Sequence, residues 1–93
     1  MVTLNIQHAI SDYETWRSAF DRFDSARNQA GVTGLRIRQP VDDSRYVVVD
    51  LEFPTVERAE GFLGFLRQVV WAAPEYSPAL VGSPTGRVLI DAD

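Results

Sequence analysis

The fold of this chain is decided by residues 2–20, VTLNIQHAISDYETWRSAF, where the spacing of the hydrophobic side chains changes once. Up to Ile10 every second residue is apolar, with His8 in the same register, which is typical of a strand covered on one side. Beyond this point the apolar residues recur at three- and four-residue steps, which is typical of an amphipathic helix. Ser11 and Glu14 fit a capping box, so we expect the helix to begin there.

The same two spacings alternate through the rest of the chain. Period-two alternation predicts strands at residues 2–10, 34–41, 46–53 and 87–92. Helical spacing predicts one helix from Ser11 to Gly31 and a second from its N-cap Thr55 to Pro74. The order strand, helix, strand, strand, helix, strand indicates an α+β protein. It predicts a ferredoxin-like βαββαβ sandwich, in which an antiparallel four-stranded sheet carries both helices on one face.

Length and composition limit what the chain can be. With 93 residues, 45% of them hydrophobic, it can build one core, so we expect a single domain over residues 1–93. The formal charge of −4, with arginines and acidic residues interleaved, predicts neither nucleic acid nor an anionic membrane as a partner. The N-terminus does not resemble a signal peptide, and no segment approaches the ~20 apolar residues of a membrane span. A soluble, cytoplasmic protein is therefore expected.

Missing residue types narrow the chemistry further. The chain has no cysteine and no lysine, which excludes thiolate nucleophiles, disulfides and Schiff-base catalysis. A single histidine, His8, is too few for a metal site built from two or three imidazoles. The glycines are scattered and do not have the spacing of a phosphate-binding loop. We therefore expect no metal and no cofactor.

The two middle strands predict that the second face of the sheet is not simply solvated. Arg36 and Arg38 share one face of the first of these strands, and Asp50 and Glu52 share one face of the second. Matching the apolar faces pairs Arg36 with Glu52, or with Asp50 if the register shifts by two residues. Either register places opposite charges side by side.

Two aromatic residues of the second helix lie away from its apolar stripe. That predicted buried stripe consists of Val56, Ala59, Phe62, Leu63, Leu66, Val69, Val70 and Ala73. Phe65 lies on its flank, and Trp71 projects well off it if the helix stays regular. Such side chains indicate either a dimer contact or the wall of a pocket.

Residues 4–8, 13–21 and 62–71, together with the order of the segments, resemble the dimeric α+β barrel superfamily. Within it, the chain is most similar to small proteins related to antibiotic biosynthesis monooxygenases. The resemblance implies a sheet in the strand order 4-1-3-2 whose open face pairs with a second copy to close a barrel. The implied partner is the protein itself, as a homodimer, and pairing buries more surface than so short a chain can bury alone.

The resemblance also implies a reaction without a cofactor. Members that oxidise polycyclic phenols place an Asn of the first strand and a Trp near the end of the second helix around the substrate, and Asn5 and Trp71 match these in kind. There a deprotonated, electron-rich substrate reacts with oxygen, and the protein supplies orientation, a dry pocket and a donor to the developing oxyanion. Members that degrade haem also need a His after that Trp, and since this chain has none there, haem breakdown is not expected.

Each candidate catalytic residue also has a structural interpretation. His8 is either a general base or a hydrogen-bonded residue at a strand end, and it lies on the opposite strand face from Asn5. Asn5 is either an oxyanion donor or a polar residue of the dimer interface, and Trp71 either stacks on a substrate or packs. Trp16 is assigned to the core and Arg27 to the far, polar side of the first helix. The candidate substrate-binding residues are Tyr13, Phe65 and Tyr76.

Three functions follow from these residues. The first is a cofactor-independent monooxygenase acting on a small aromatic or polyketide-like molecule. The second is an isomerase or cyclase of the same fold, which moves a proton without consuming oxygen. The third is a non-catalytic homodimer that binds a small molecule or has a structural role.

Overall fold

A computed structural model of the protein describes all 93 residues. Its strands are β1 (Val2–Ile10), β2 (Gly34–Arg38), β3 (Tyr46–Phe53) and β4 (Leu80–Ile90). Its helices are α1 (Tyr13–Asp21), α2 (Asp24–Ala30) and α3 (Val56–Phe65), and a π-helical turn (Leu66–Val70) extends the last of them. The strands form one antiparallel sheet in the order β2-β3-β1-β4, which confirms the predicted sandwich. None of the helices is long and apolar enough to cross a membrane.

The core lies between the helices and the inner face of the sheet. The two central strands, β1 and β3, alternate strictly between buried and half-buried residues, so only one face of each is covered. The largest fully buried side chains are Phe53, Leu4, Ile10, Leu51, Val47 and Val49. Full burial stabilises the fold by roughly 1.5–3 kcal/mol for each large apolar side chain, before conformational entropy is counted.

The predicted first helix is in fact two helices. The chain leaves helical geometry at Phe23, whose φ and ψ are −99° and 16°, and α2 then begins at Asp24. This break allows the ring of Phe23 to pack edge-on against Phe65 and Tyr76, at centroid distances of 6.1 and 5.9 Å. The end of α2 follows the prediction, since Gly31 has the left-handed φ of 93° that glycine adopts without strain.

The N-terminus of α1 is capped by a different residue from the one expected. The predicted capping box of Ser11 and Glu14 does not form. Asp12 is the N-cap instead, and its carboxylate accepts hydrogen bonds from Thr15 N (2.8 Å) and Thr15 Oγ1 (2.7 Å). An acidic N-cap satisfies an otherwise unpaired backbone N–H and also suits the positive end of the helix dipole.

The second predicted helix begins as expected but does not stay regular. Thr55 caps α3 by accepting a hydrogen bond from Arg58 N at 3.2 Å. In the π-helical turn, Trp71 N donates to Leu66 O at 2.7 Å, across five residues instead of four. This extra residue rotates the end of the helix, so Val69, which was predicted to be buried, is 39% exposed. The same rotation turns Trp71 towards the sheet.

The last strand begins at Leu80, earlier than predicted. Its first half contains a bulge, which hides the strand pattern in the sequence. Gln7 pairs with Thr85 and Ala9 with Val81, which leaves residues 82–84 opposite His8 alone. Gly82 has a φ of 72°, and a proline follows two residues later. The irregular stretch has no period-two pattern, so the strand predicted at residues 87–92 overlaps β4 only at residues 87–90 and extends two residues beyond its end.

The central hairpin takes the shifted register. Arg36 is opposite Asp50, and Gly34, not Arg36, is opposite Glu52. Arg38 reaches diagonally to Asp50, with Nη2 2.7 Å from Oδ2. The prediction that opposite charges lie side by side is confirmed. Of the two predicted registers, the pairing of Arg36 with Glu52 is wrong and the pairing of Arg36 with Asp50 is correct.

Gly86 sets the distance between α3 and the sheet. It pairs with Ile6 and so lies on the inner face of β4. A Cβ built at this position would lie 2.5 Å from Leu63 Cδ1 and 3.6 Å from Trp71 Cη2. The helix packs closely here because the strand has no side chain.

We expect Gly86→Ala to lower the free energy of unfolding by about 1–3 kcal/mol, because the added methyl group overpacks the contact with Leu63. Chemical denaturation measures this change. Gly61→Ala is the matched control, since a Cβ there meets nothing within 4 Å and alanine favours the helix by up to about 1 kcal/mol. A Gly86→Ala variant as stable as the wild type would contradict the close packing.

Candidate functional site

The candidate site is an apolar cavity between the sheet and the helices. Fourteen of its seventeen lining residues are hydrophobic, and the other three are His8, Arg27 and Ser77. Its volume is about 60 Å³. Because a buried water needs roughly 10–15 Å³, this space holds a few waters. A ligand the size of an aromatic ring needs more room than a few waters, so it would have to displace part of the wall.

His8 lines this cavity and has a ring nitrogen with a free lone pair. Its position follows from the alternation of β1, which turns every even-numbered residue of the strand inward. Nδ1 lies 3.0 Å from Ala9 O. Because a carbonyl oxygen can only accept a hydrogen bond, this contact assigns the imidazole proton to Nδ1. Nε2 has no hydrogen-bond partner in the protein. Burial lowers the pKa of His8, and the bond to Ala9 opposes this only in part, so the imidazole is neutral at neutral pH.

The bulge in β4 lies directly beside this histidine. His8 has no ladder partner on that side, because residues 82–84 loop past it. A bulge changes the direction of the strand and leaves an unpaired position, and such irregularities are frequent next to active sites.

A continuous row of rings connects His8 to Arg27 along one wall. The His8 and Trp16 rings are 6.2 Å apart in an edge arrangement, and Trp16 stacks on Phe20 at 4.9 Å. The Arg27 guanidinium carbon lies 3.8 Å from the centroid of the Phe20 ring, within cation–π distance. Trp16 is buried in the core, as predicted, and it also lines the cavity.

Arg27 is the site residue that the sequence interpretation missed. It was assigned to the polar side of the helix, but it is only 5% exposed. Desolvation lowers its pKa, yet an arginine retains its charge in proteins. The sequence does contain a signal, since Arg27 follows Phe20 by seven residues and Phe23 by four, which places it on the apolar stripe.

Trp71 and Tyr76 line the cavity, whereas Tyr13 and Phe65 lie outside it. Tyr13 packs behind the row of rings, 5.7 Å from Trp16. Phe65 lies in a shallow groove between α2 and α3. Both off-stripe aromatics of the second predicted helix thus have neighbours within the chain, and Trp71 forms part of a pocket wall.

Asn5 lies on the other face of the sheet and does not reach the cavity. Its amide donates to Asp50 Oδ1 at 2.7 Å and accepts from Gln7 Nε2 at 3.1 Å. Arg38 and Tyr46 extend this chain of hydrogen bonds at its two ends. The structure therefore brings His8 and Trp71 together and separates both from Asn5.

The cavity combines one neutral base, one cation and apolar walls. A neutral imidazole can take a proton from an acidic O–H or C–H group. A guanidinium in surroundings of low polarity interacts strongly with an anion, because little water screens the charge. No three His, Asp or Glu side chains are grouped as a metal ion would require. The arrangement suits acid–base chemistry on a hydrophobic molecule.

No protein-family model matches the sequence, and no curated protein matches it. Several solved structures have the same fold. One from Nitrosomonas europaea is 13% identical with a TM-score of 0.71 over the whole of both chains. One from Bordetella bronchiseptica is 7% identical with a TM-score of 0.75 over 98% of this chain and 96% of that one. Both carry a provisional assignment as antibiotic biosynthesis monooxygenases.

A third similar structure is a dimeric ferredoxin-like protein from an uncultured marine organism. It is 8% identical, with a TM-score of 0.61 over all of this chain and 96% of the other. At these identities the similarity shows the fold. The protein has the ferredoxin-like fold of the antibiotic biosynthesis monooxygenase-like and dimeric ferredoxin-like proteins, as its sequence resemblance implied.

The depressed pKa of His8 predicts that stability falls on mild acidification. The unfolded chain binds a proton near the ordinary value of 6.5, and the folded chain binds it only at lower pH, so the unfolded state gains protons first. We expect the free energy of unfolding of the wild type to decrease between about pH 7 and about pH 5. In His8→Gln this decrease should be absent. Chemical denaturation across the range measures both, and parallel curves would contradict the assignment.

Proposed function

We propose that the protein is a cofactor-independent monooxygenase that oxidises a small aromatic molecule in the cavity, with His8 as the general base. The observation that carries the proposal is the unpaired Nε2 of a neutral, buried imidazole in an apolar pocket. A base of depressed pKa is unprotonated at neutral pH and so is ready to accept a proton.

The reaction begins when Nε2 removes a proton from the phenolic hydroxyl of the substrate. The electron-rich ring carbon opposite that oxygen then gives an electron pair to O₂, which forms a C–O bond and a peroxide. The imidazolium returns its proton to the peroxide, and loss of water with the ring C–H proton leaves a quinone carbonyl. One oxygen atom enters the product and the other becomes water. The substrate supplies all the electrons.

The walls of the cavity suit such a substrate. Trp16 and Phe20 form a stacked pair in the wall, and Trp71, which follows the π-helical turn, also lines the cavity. Aromatic walls orient a flat ring and exclude water, which protects the peroxide and strengthens electrostatic contacts. The provisional assignment of two proteins of the same fold as monooxygenases is consistent with this proposal.

A cofactor-free isomerase or cyclase is the second candidate, because the same neutral base supports it. In that reaction His8 would take a proton from one substrate atom and return it to another. The two functions differ in whether turnover requires oxygen. The monooxygenase turns over only in air, and the isomerase or cyclase turns over equally well without it.

The test is oxygen uptake with a panel of one- to three-ring phenols and quinols. We expect enzyme-dependent uptake with a quinone product, and His8→Gln should lower kcat/KM by about 10²–10⁴-fold, the typical contribution of a general base. Val41→Ala is the control, since Val41 is fully exposed in the turn before β3. Anaerobic turnover would favour the isomerase or cyclase. Absence of turnover with the whole panel would favour a non-catalytic binding protein.

We also propose that the protein is a homodimer in which the open faces of two sheets pair. This face carries the hydrogen-bonded chain through Asn5 and Asp50, whose members are largely half-buried already. Its apolar residues include Val81 and Leu89, which are 47% and 45% exposed. A two-fold interface would cover both kinds of residue at once. One protein of the same fold is described as dimeric.

Sedimentation equilibrium at micromolar concentration tests the dimer. We expect the wild type to sediment at twice the monomer mass and Val48→Arg to sediment as a monomer, because it adds a cation beside Arg38 in the centre of the face. Val41→Arg adds the same charge in an exposed turn and should remain dimeric. A wild-type monomer, or dimers for both variants, would contradict pairing through this face.

A further inference from the structure

We infer that Arg27 binds a carboxylate of the ligand, which makes the natural substrate an aromatic acid and Arg27 its specificity-determining residue. The inference rests on the proposed function for the identity of the site. It assigns to the cavity a second recognition element that is distinct from the base, and it names the chemical class that this element selects.

The burial of Arg27 is the first reason. Its side chain is 6% exposed, and arginines are rarely buried to this degree unless they are paired. The one carboxylate within 4 Å of it belongs to Asp24, 3.9 Å from Nη2 and 75% exposed, which makes a weak, solvent-screened contact. Asp21 interacts with the guanidinium only from a longer distance. The protein therefore leaves a desolvated cation without a strong anionic partner.

The unused donors of the guanidinium are the second reason. The guanidinium has five N–H groups, and only one of them donates a hydrogen bond within the protein. That bond runs from Nη1 to Phe20 O at 2.8 Å. Neither Nε nor Nη2 donates a hydrogen bond within the protein. Both nitrogens keep some accessible surface, so an incoming acceptor can reach them. A planar carboxylate is the anion that such a fork binds in a bidentate way.

A purely structural role for Arg27 explains less of this geometry. Capping the C-terminus of α1 uses Nη1 alone, and Phe20 O already accepts a hydrogen bond from Phe23 N at 3.2 Å. A terminal carbonyl that has a backbone donor does not require a buried charge. Capping therefore does not account for the remaining donors of the guanidinium.

The position of Arg27 along the wall fits an aromatic acid. The row His8, Trp16, Phe20, Arg27 has the base at one end and the cation at the other. A ring lying against the edges of Trp16 and Phe20 would have its carboxylate at the guanidinium and its opposite edge directed towards His8. The carboxylate would fix which edge of the ring meets the base.

Benzoate and benzamide are the matched probes, because they share a ring and nearly a shape but differ in charge. Both tryptophans of the chain line the cavity, so intrinsic fluorescence reports binding. We expect the wild type at neutral pH to bind benzoate at least about tenfold more tightly than benzamide, as charged hydrogen bonds provide. Equal affinities, or no binding of either probe, would overturn the inference without any variant.

Substitutions of Arg27 test whether this residue causes the preference for benzoate over benzamide. Arg27→Met should abolish it, and Arg27→Lys should retain part of it, since the charge remains and the bidentate fork is lost. Arg45→Met removes the same charge from an exposed turn and should keep the full preference. A preference that survives in Arg27→Met, with a wild-type circular dichroism spectrum, would overturn the assignment. If Arg27→Met does not fold, the ratio in Arg27→Lys and in the wild type decides.

The binding test and the oxygen-uptake test distinguish a failure of the carboxylate site from a failure of the proposed monooxygenase activity. A benzoate preference in a protein that consumes no oxygen with any phenol would keep the carboxylate site and remove the monooxygenase. Oxygen uptake with neutral phenols, together with equal binding of the two probes, would keep the monooxygenase and remove the carboxylate site.

Discussion

The structure depends on the period-two alternation of β1 between its two neighbours in the sheet. A strand in this central position cannot direct adjacent side chains to the same side, so residues of even number enter the core and residues of odd number do not. His8 and Asn5 are therefore on opposite sides of one layer. The inner side holds a cavity with a base, and the outer side holds a hydrogen-bonded polar chain.

Three local irregularities surround the cavity, and each lies next to a side chain that lines it. The helix break at Phe23 begins a new helix that carries Arg27 into the wall. The π-helical turn brings Trp71 inward, and the bulge in β4 frees one side of His8. Irregular turns and bulges give up regular hydrogen bonds, so their grouping around one pocket suggests that the pocket has a function.

The same three features mark the limit of what the sequence could predict. The order of the elements along the chain, the caps at Thr55 and Gly31, and the inward position of His8 follow from local patterns. The strand order within the sheet was implied by the family resemblance. The break at Phe23 is not local, because it is stabilised by contacts with Phe65 and Tyr76 far along the chain. Arg27 was missed for a related reason. Its charge suggested solvent, although its spacing placed it on the apolar stripe.

The bulge in β4 has a further consequence at the outer edge of the sheet. An edge strand offers unpaired backbone groups to which another chain can add as a new strand. In β4 this row is interrupted, since Gly82 turns the chain with a positive φ and Pro84 has no N–H to donate. The longest strand of the protein is thus a poor template for continued pairing. The edge therefore disfavours association that would have no natural end, which is compatible with the face-to-face dimer that we propose.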